Sequence, residues 1–181
     1  MMNRWSPEFD RITKTIRTEL GSLTPEQVRW KPAHDRWSIT EILQHVILLN
    51  ESYYPILESV KNGSWRSPFI AKVPGLPGLF KVIIHSSVTP DRKRRMKTFS
   101  IWNPEERELP IDVIARFSMH QEELKCKIEA VEEWAQKGVV ISSPLNRQIV
   151  YPLDSAFDIM ISHEERHLEQ CREIVSQLPM G

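Results

Sequence analysis

Apolar residues recur at three- and four-residue spacing in four separate stretches of this chain, and nowhere do they alternate convincingly as a strand's would. The first stretch opens on Ser6-Pro7, a cap followed by a first-turn proline. Phe9, Ile12, Ile16 and Leu20 follow, which predicts a helix over 7–21. Thr24-Pro25-Glu26-Gln27 reads as a short capped turn, and the connection then runs on to Trp37.

Ser38 and Glu41 have capping-box spacing. Beyond them Ile39, Ile42, Leu43, Val46, Leu49, Tyr53, Leu57 and Val60 form the stripe of a long second helix. Pro55 sits inside that stripe, so a kink is expected near 51–55, and Lys61-Asn62-Gly63 ends it. A third helix begins near Pro110. Its seam is Ile114, Phe117, Gln121, Leu124, Ile128, Val131 and Ala135, closed by Gly138. The fourth, over 153–178, carries Phe157, Met160, Ile161, Glu164, Leu168, Cys171, Ile174, Val175 and Leu178.

Four amphipathic helices hide their stripes only against one another, so the expected fold is all-α: a four-helix bundle, with residues 1–181 as a single domain. The long irregular connection between helices 2 and 3 allows either a simple up-down order or a crossover. Prolines 68, 74, 77, 90 and 104 break residues 61–109, where Val82-Ile83-Ile84 reads as a short helix or buried turn. Segments of this length are often functional covers or flexible insertions.

Twenty-four basic residues balance twenty-four acidic ones, which argues against a nucleic-acid partner, since phosphate neutralisation supplies most of such affinity. The run Arg92-Lys93-Arg94-Arg95 with Lys97 is read as a solvated loop, with no aromatic platform close by. Cys126 and Cys171 are too few for a disulfide framework. No apolar signal segment or membrane span is written here, which points to the cytoplasm.

The strongest chemical feature is His163-Glu164-Glu165-Arg166-His167. Two histidines four apart lie one turn apart on one helical face, within reach of a common ion. The same residues match the H-E-x-x-H pattern of zinc proteases. That pattern wants a downstream ligand, but Gln170 stands where its glycine should be and Glu173 where its histidine should be.

A third ligand must therefore come from upstream, where His34, His45, His85 and His120 are the candidates. His45, between Ile42 and Leu49, lies at the rim of a buried stripe. His120, near Phe117 and Leu124, is placed similarly and is the runner-up, while His34 and His85 fall in irregular, solvated segments. Cys171 is eight residues from His163, about 12 Å along the axis, too far to share one ion, and is read as core.

Trp30 and Trp37 leading into Ser38-x-x-Glu41-x-x-x-His45, with His163-Glu164-x-x-His167-Leu168 later, resemble the DinB/YfiT-like superfamily of metal-binding four-helix proteins. The resemblance covers residues 8–60 and 98–178, with 61–97 least matched. It implies a three-histidine site on His45, His163 and His167, holding a divalent ion such as zinc or nickel, in a protein that often forms homodimers. Members with an assigned reaction include thiol-dependent transferases and isomerases, and many others are described as metal-dependent hydrolases.

Three neutral imidazoles leave a coordination position open and the ion's charge intact, as hydrolysis or transfer of a low-molecular-weight thiol to a small-molecule substrate would require. The alternative is a non-catalytic, metal-stabilised stress-response or interaction module. Glu164 falls near the centre of the fourth helix's apolar face. It is expected either to act at the metal or to pair with a base such as Arg36 or Arg116, whereas Glu41 is expected to serve only its cap.

Overall fold

The computed structural model describes residues 4–88, 98–104 and 112–179, the side chains of 87 and 88 excepted. The helices that form the bundle are α1 (Ser6–Leu20), α3 (Ile39–Glu51), continued after a break by α4 (Tyr54–Lys61), α6 (Val113–Glu129) and α8 (Leu153–Val175). Shorter pieces, α2 (Pro25–Arg29) and α7 (Glu132–Gln136), lie in the connections. The four expected helices are present, and the fold is mainly α.

Local chemistry explains most boundaries. Thr24 and Ser38 each make a full capping box, with Gln27 and Glu41, so α2 and α3 start where the sequence placed them. Ser6 differs from expectation: it is already helical, and the preceding Trp5 takes the cap position with no side-chain hydrogen bond. The break expected around Pro55 falls at Ser52-Tyr53, and the proline then sits in the first turn of α4, where its missing N–H costs nothing. The third helix ends earlier than its stripe, at Glu129. Val131 and Ala135 reach the core from α7 and the turn before it.

Packing shows how the bundle is wound. α1 contacts α6 and α8, and α3 contacts the same two, so α1 and α3 face each other across the diagonal. Arg4 pairs with Asp158, Arg11 with Glu165, and Glu19 with Arg172, so α1 and α8 run parallel. These exposed pairs contribute no more than about 1 kcal/mol each; their value is in marking direction. His45 beside His163 and Tyr53 beside Tyr151 make α3 antiparallel to α8. Glu51 beside Arg116 and Tyr54 beside His120 make α3–α4 parallel to α6. The order is up-down-down-up, which settles the sequence's open choice in favour of a crossover.

The long connection follows from that geometry. A short turn can join antiparallel neighbours, but parallel ones need a return along the bundle, about 25 Å for the 17 residues of α6. The described part of this return holds a 3-10 turn at Phe69–Lys72, helix α5 (Leu76–Val88) and a second 3-10 turn at Ser100–Trp102. α5 lies on α8, and the second turn lies on α3. Val82-Ile83-Ile84 is helical, as one reading had it, but not buried. Val82 and Ile83 are 64% and 49% exposed, and Ile84 is half-buried against the core.

One element was missed by the sequence reading. Strands β1 (Val140–Ser142) and β2 (Val150–Pro152) pair antiparallel just before α8. Three residues are too few to show an alternating pattern. β2 packs beneath α5 and places Tyr151 in the core.

The interior is not uniformly apolar. One cluster gathers Phe9, Tyr53, Leu57, Leu124, Ile128, Phe157 and Met160. The other gathers Ile12, Ile16, Leu43, Ile47, Phe117, Leu168 and Cys171. Burial of each such side chain stabilises the fold by roughly 1.5–3 kcal/mol. Along α3, α6 and α8 the buried polar residues Asn50, His120, Gln121, His163, Glu164 and His167 fall between these clusters. A polar layer thus divides the core at mid-height, and His120, His163 and His167 belong to it.

Candidate metal centre

The Ser38 capping box fixes the start of α3, and Lys31 Nζ donates to Glu41 at 2.6 Å. Glu41 therefore does more than cap: it also ties the preceding loop to the helix. Seven residues into α3, His45 projects toward the interior at 4% exposure, beside Trp37, whose ring centroid lies 5.0 Å from the imidazole. On α8, His163 and His167 are each 7% exposed and one turn apart.

The three rings converge through their Nε2 atoms. His163 Nε2 is 3.4 Å from His45 Nε2 and 3.0 Å from His167 Nε2, and one ring nitrogen from each residue lies within 4.8 Å of the other two. Among the described residues this is the one group of three or more His, Cys, Asp or Glu so placed. The outward nitrogens are treated unequally. His45 Nδ1 is 2.8 Å from the main-chain carbonyl of Trp102, and His167 Nδ1 is 2.8 Å from Gln170 Oε1. His163 Nδ1 is buried with no hydrogen-bond partner.

Burial sets the charge state. It lowers the His45 pKa to about 4, a shift only partly offset by the hydrogen bond to Trp102. It also holds His163 and His167 well below the usual histidine range, with His163 pushed further by His167 and His45, and His167 by His45. All three are neutral at pH 7, so each ring keeps one nitrogen lone pair. That is the state a cation needs and the charged form forbids. The donor set suits a divalent ion of borderline softness, which three imidazoles can hold while leaving a position open.

The opening faces a cleft of about 1650 Å³, walled by Trp37, Tyr53, Trp102, Tyr151, Arg166 and Gln170 among others. That is larger than the roughly 300–1,000 Å³ of ordinary small-ligand pockets.

The remaining candidates resolve clearly. His120, the runner-up third ligand, points into the core away from the group. Its Nε2 accepts from Asn50 at 3.3 Å, and its Nδ1 lies 3.2 Å from the Tyr54 hydroxyl. His34 is exposed, as expected. His85 is not a solvated loop residue: it sits on α5, with Nε2 3.2 Å from Ser162 Oγ on α8. Cys171 is fully buried in the core, and burial pushes its thiol up to about 12. The run 92–97 lies outside the described residues.

Glu164 corrects both readings made of it. Its Oε1 accepts 2.8 Å hydrogen bonds from Asn50 Nδ2 and Gln121 Nε2, so neither an arginine nor the histidine group holds it. Arg116 is instead paired with Glu51 at 3.7 Å. Burial raises the Glu164 pKa to about 7, against the lowering effect of the two amides. The glutamate that a zinc protease would use as base thus faces Asn50 and Gln121.

A sequence profile matches residues 8–171, and it is that of the DinB superfamily. The chain belongs to the DinB superfamily. No curated protein matches the sequence. The DinB assignment and the three-histidine group agree with each other, since the motif residues that suggested the family are the ones whose rings meet. Two functional contacts had escaped sequence reading. Gln170, three residues after His167 on one helix, was legible by spacing; the Trp102 carbonyl, supplied by main chain 57 residues from His45, left no signal.

Proposed function

We propose that this DinB protein is a metal-dependent enzyme whose His45, His163 and His167 hold one zinc or nickel ion, and that it hydrolyses a small-molecule substrate or transfers a low-molecular-weight thiol to it. The supporting observation is the convergence of three buried, neutral imidazole nitrogens at the wall of an open cleft. A divalent ion held there lowers the pKa of a water or thiol bound to it and so supplies a nucleophile near neutral pH.

The chain's own residues do the rest. Trp102 and Gln170 orient two of the rings, Trp37 packs on His45, and residues of the return connection line the cleft. The two amides that hold Glu164 in the core argue against that residue as a base at the metal, and the second reading is a non-catalytic metal-stabilised stress-response module.

The test is elemental analysis of untagged protein, followed by a panel of esters, amides and thiol–acceptor pairs. One equivalent of zinc or nickel with turnover on the panel is the expected result. Metal without turnover selects the second reading, and protein that takes up no metal overturns both.

A further inference from the structure

Three imidazoles can serve one cation only if each carries its proton on the outward nitrogen, leaving the inward lone pair free. The structure offers a partner for the outward nitrogen at two of the three rings. For His45 the acceptor is a main-chain carbonyl, which can only accept, so the proton is fixed on Nδ1. For His163 no acceptor is present at Nδ1. For His167 the partner is the side chain of Gln170, 2.8 Å away on the next turn of α8.

An amide is ambivalent, because its oxygen would fix the proton on Nδ1 while its nitrogen would force it to Nε2. The convergent geometry decides between them. His167 Nε2 lies 3.0 Å from His163 Nε2, at the centre of the group, so the useful orientation presents the amide oxygen to the ring. Gln170 is half-buried on the cleft wall, with its oxygen placed toward the ring.

From this geometry we infer that Gln170 is the positioning residue of the metal centre: it holds His167 as the tautomer whose inward nitrogen can bind the ion. The inference rests on the metal reading given above and assigns a role that the ligand motif does not contain. Gln170 acts through His167. Such outer partners change metal affinity by about 10–100-fold in other proteins.

The experiment compares wild type with Gln170→Leu, which removes the acceptor, and Gln170→Glu, which offers only acceptor atoms. Zinc affinity is measured by competition with a chromophoric chelator at pH 7.5, and the His167 tautomer is read in the metal-free proteins from long-range proton–nitrogen spectra. Gln170→Leu should bind zinc about 10–100-fold more weakly and lose its fixed Nδ1–H form, while Gln170→Glu should bind at least as tightly as wild type. Equal affinity in all three, or equal weakening in both variants, overturns the role: the first shows no contribution, and the second shows packing rather than proton placement. Wild-type protein that binds no zinc refutes the metal reading separately. The spectra still judge Gln170 in that event, because a wild-type His167 protonated on Nε2 overturns the assignment and one protonated on Nδ1, lost in Gln170→Leu, sustains it.

Discussion

The main-chain carbonyl of Trp102 sits 2.8 Å from Nδ1 of His45, joining the return connection directly to the candidate metal centre. The connection that parallel helices require is thus also part of the centre's outer shell. The tautomer that frees His45 Nε2 for a cation is the one that donates to Trp102, so occupancy of the centre and docking of this turn favour each other. Zinc should therefore slow amide exchange and proteolysis across 98–104. Hydrogen exchange with and without zinc checks this, and equal exchange in both states would break the link.

Ligand identity is separable by substitution. His45→Ala, His163→Ala and His167→Ala should each lose zinc binding by at least a hundredfold, because two imidazoles remain where three converged. His120→Ala should leave affinity within about threefold, since that ring is held by Asn50 and Tyr54 in the core. Calorimetric titration of the four variants decides it, and the reverse pattern would move the third ligand to His120.

Acid should unfold the metal-free protein in a defined window. Burial depresses the pKa of His45 and His120 to about 4 from 6.5, and lowers those of His163 and His167 as well. Below 6.5 the unfolded chain therefore takes up protons that the native state refuses, and stability falls as pH falls toward 4. Each such histidine contributes a slope of about 1.4 kcal/mol per pH unit. Glu164 acts in the opposite sense: its native pKa of about 7 exceeds 4.5, so its contribution is full below 4.5 and lost as pH rises to 7. Urea midpoints at pH 7 and pH 5 should drop steeply toward the lower value; midpoints that stay level would show that the rings are solvated.

Asn50 and Gln121 both donate to Oε1 of the buried Glu164, whose Oε2 has no hydrogen-bond partner, so truncating either removes one of the two donors that hold this carboxyl. Asn50→Ala should cost about 1–3 kcal/mol in chemical denaturation while sparing zinc affinity. Glu164→Gln should also keep zinc bound. Loss of metal or of turnover in Glu164→Gln at unchanged stability would return that residue to a chemical role.

Helix content, the capping boxes at Thr24 and Ser38, the break before α4 and the His163–His167 pair are all properties of short stretches. Spacing and cap chemistry act within a few residues, so the sequence alone determined them. Even the third ring was within reach, because His45 lies on the rim of a legible stripe. What tertiary structure alone decided involves partners distant along the chain. The up-down-down-up winding follows from which stripes meet, and the three-residue strands are too short to carry a period. Glu164 finds Asn50 and Gln121 only because α3, α6 and α8 place their polar positions at one height, dividing the core. Trp102 reaches His45 through its backbone, and a carbonyl is common to every residue type, so no side-chain pattern could have announced it.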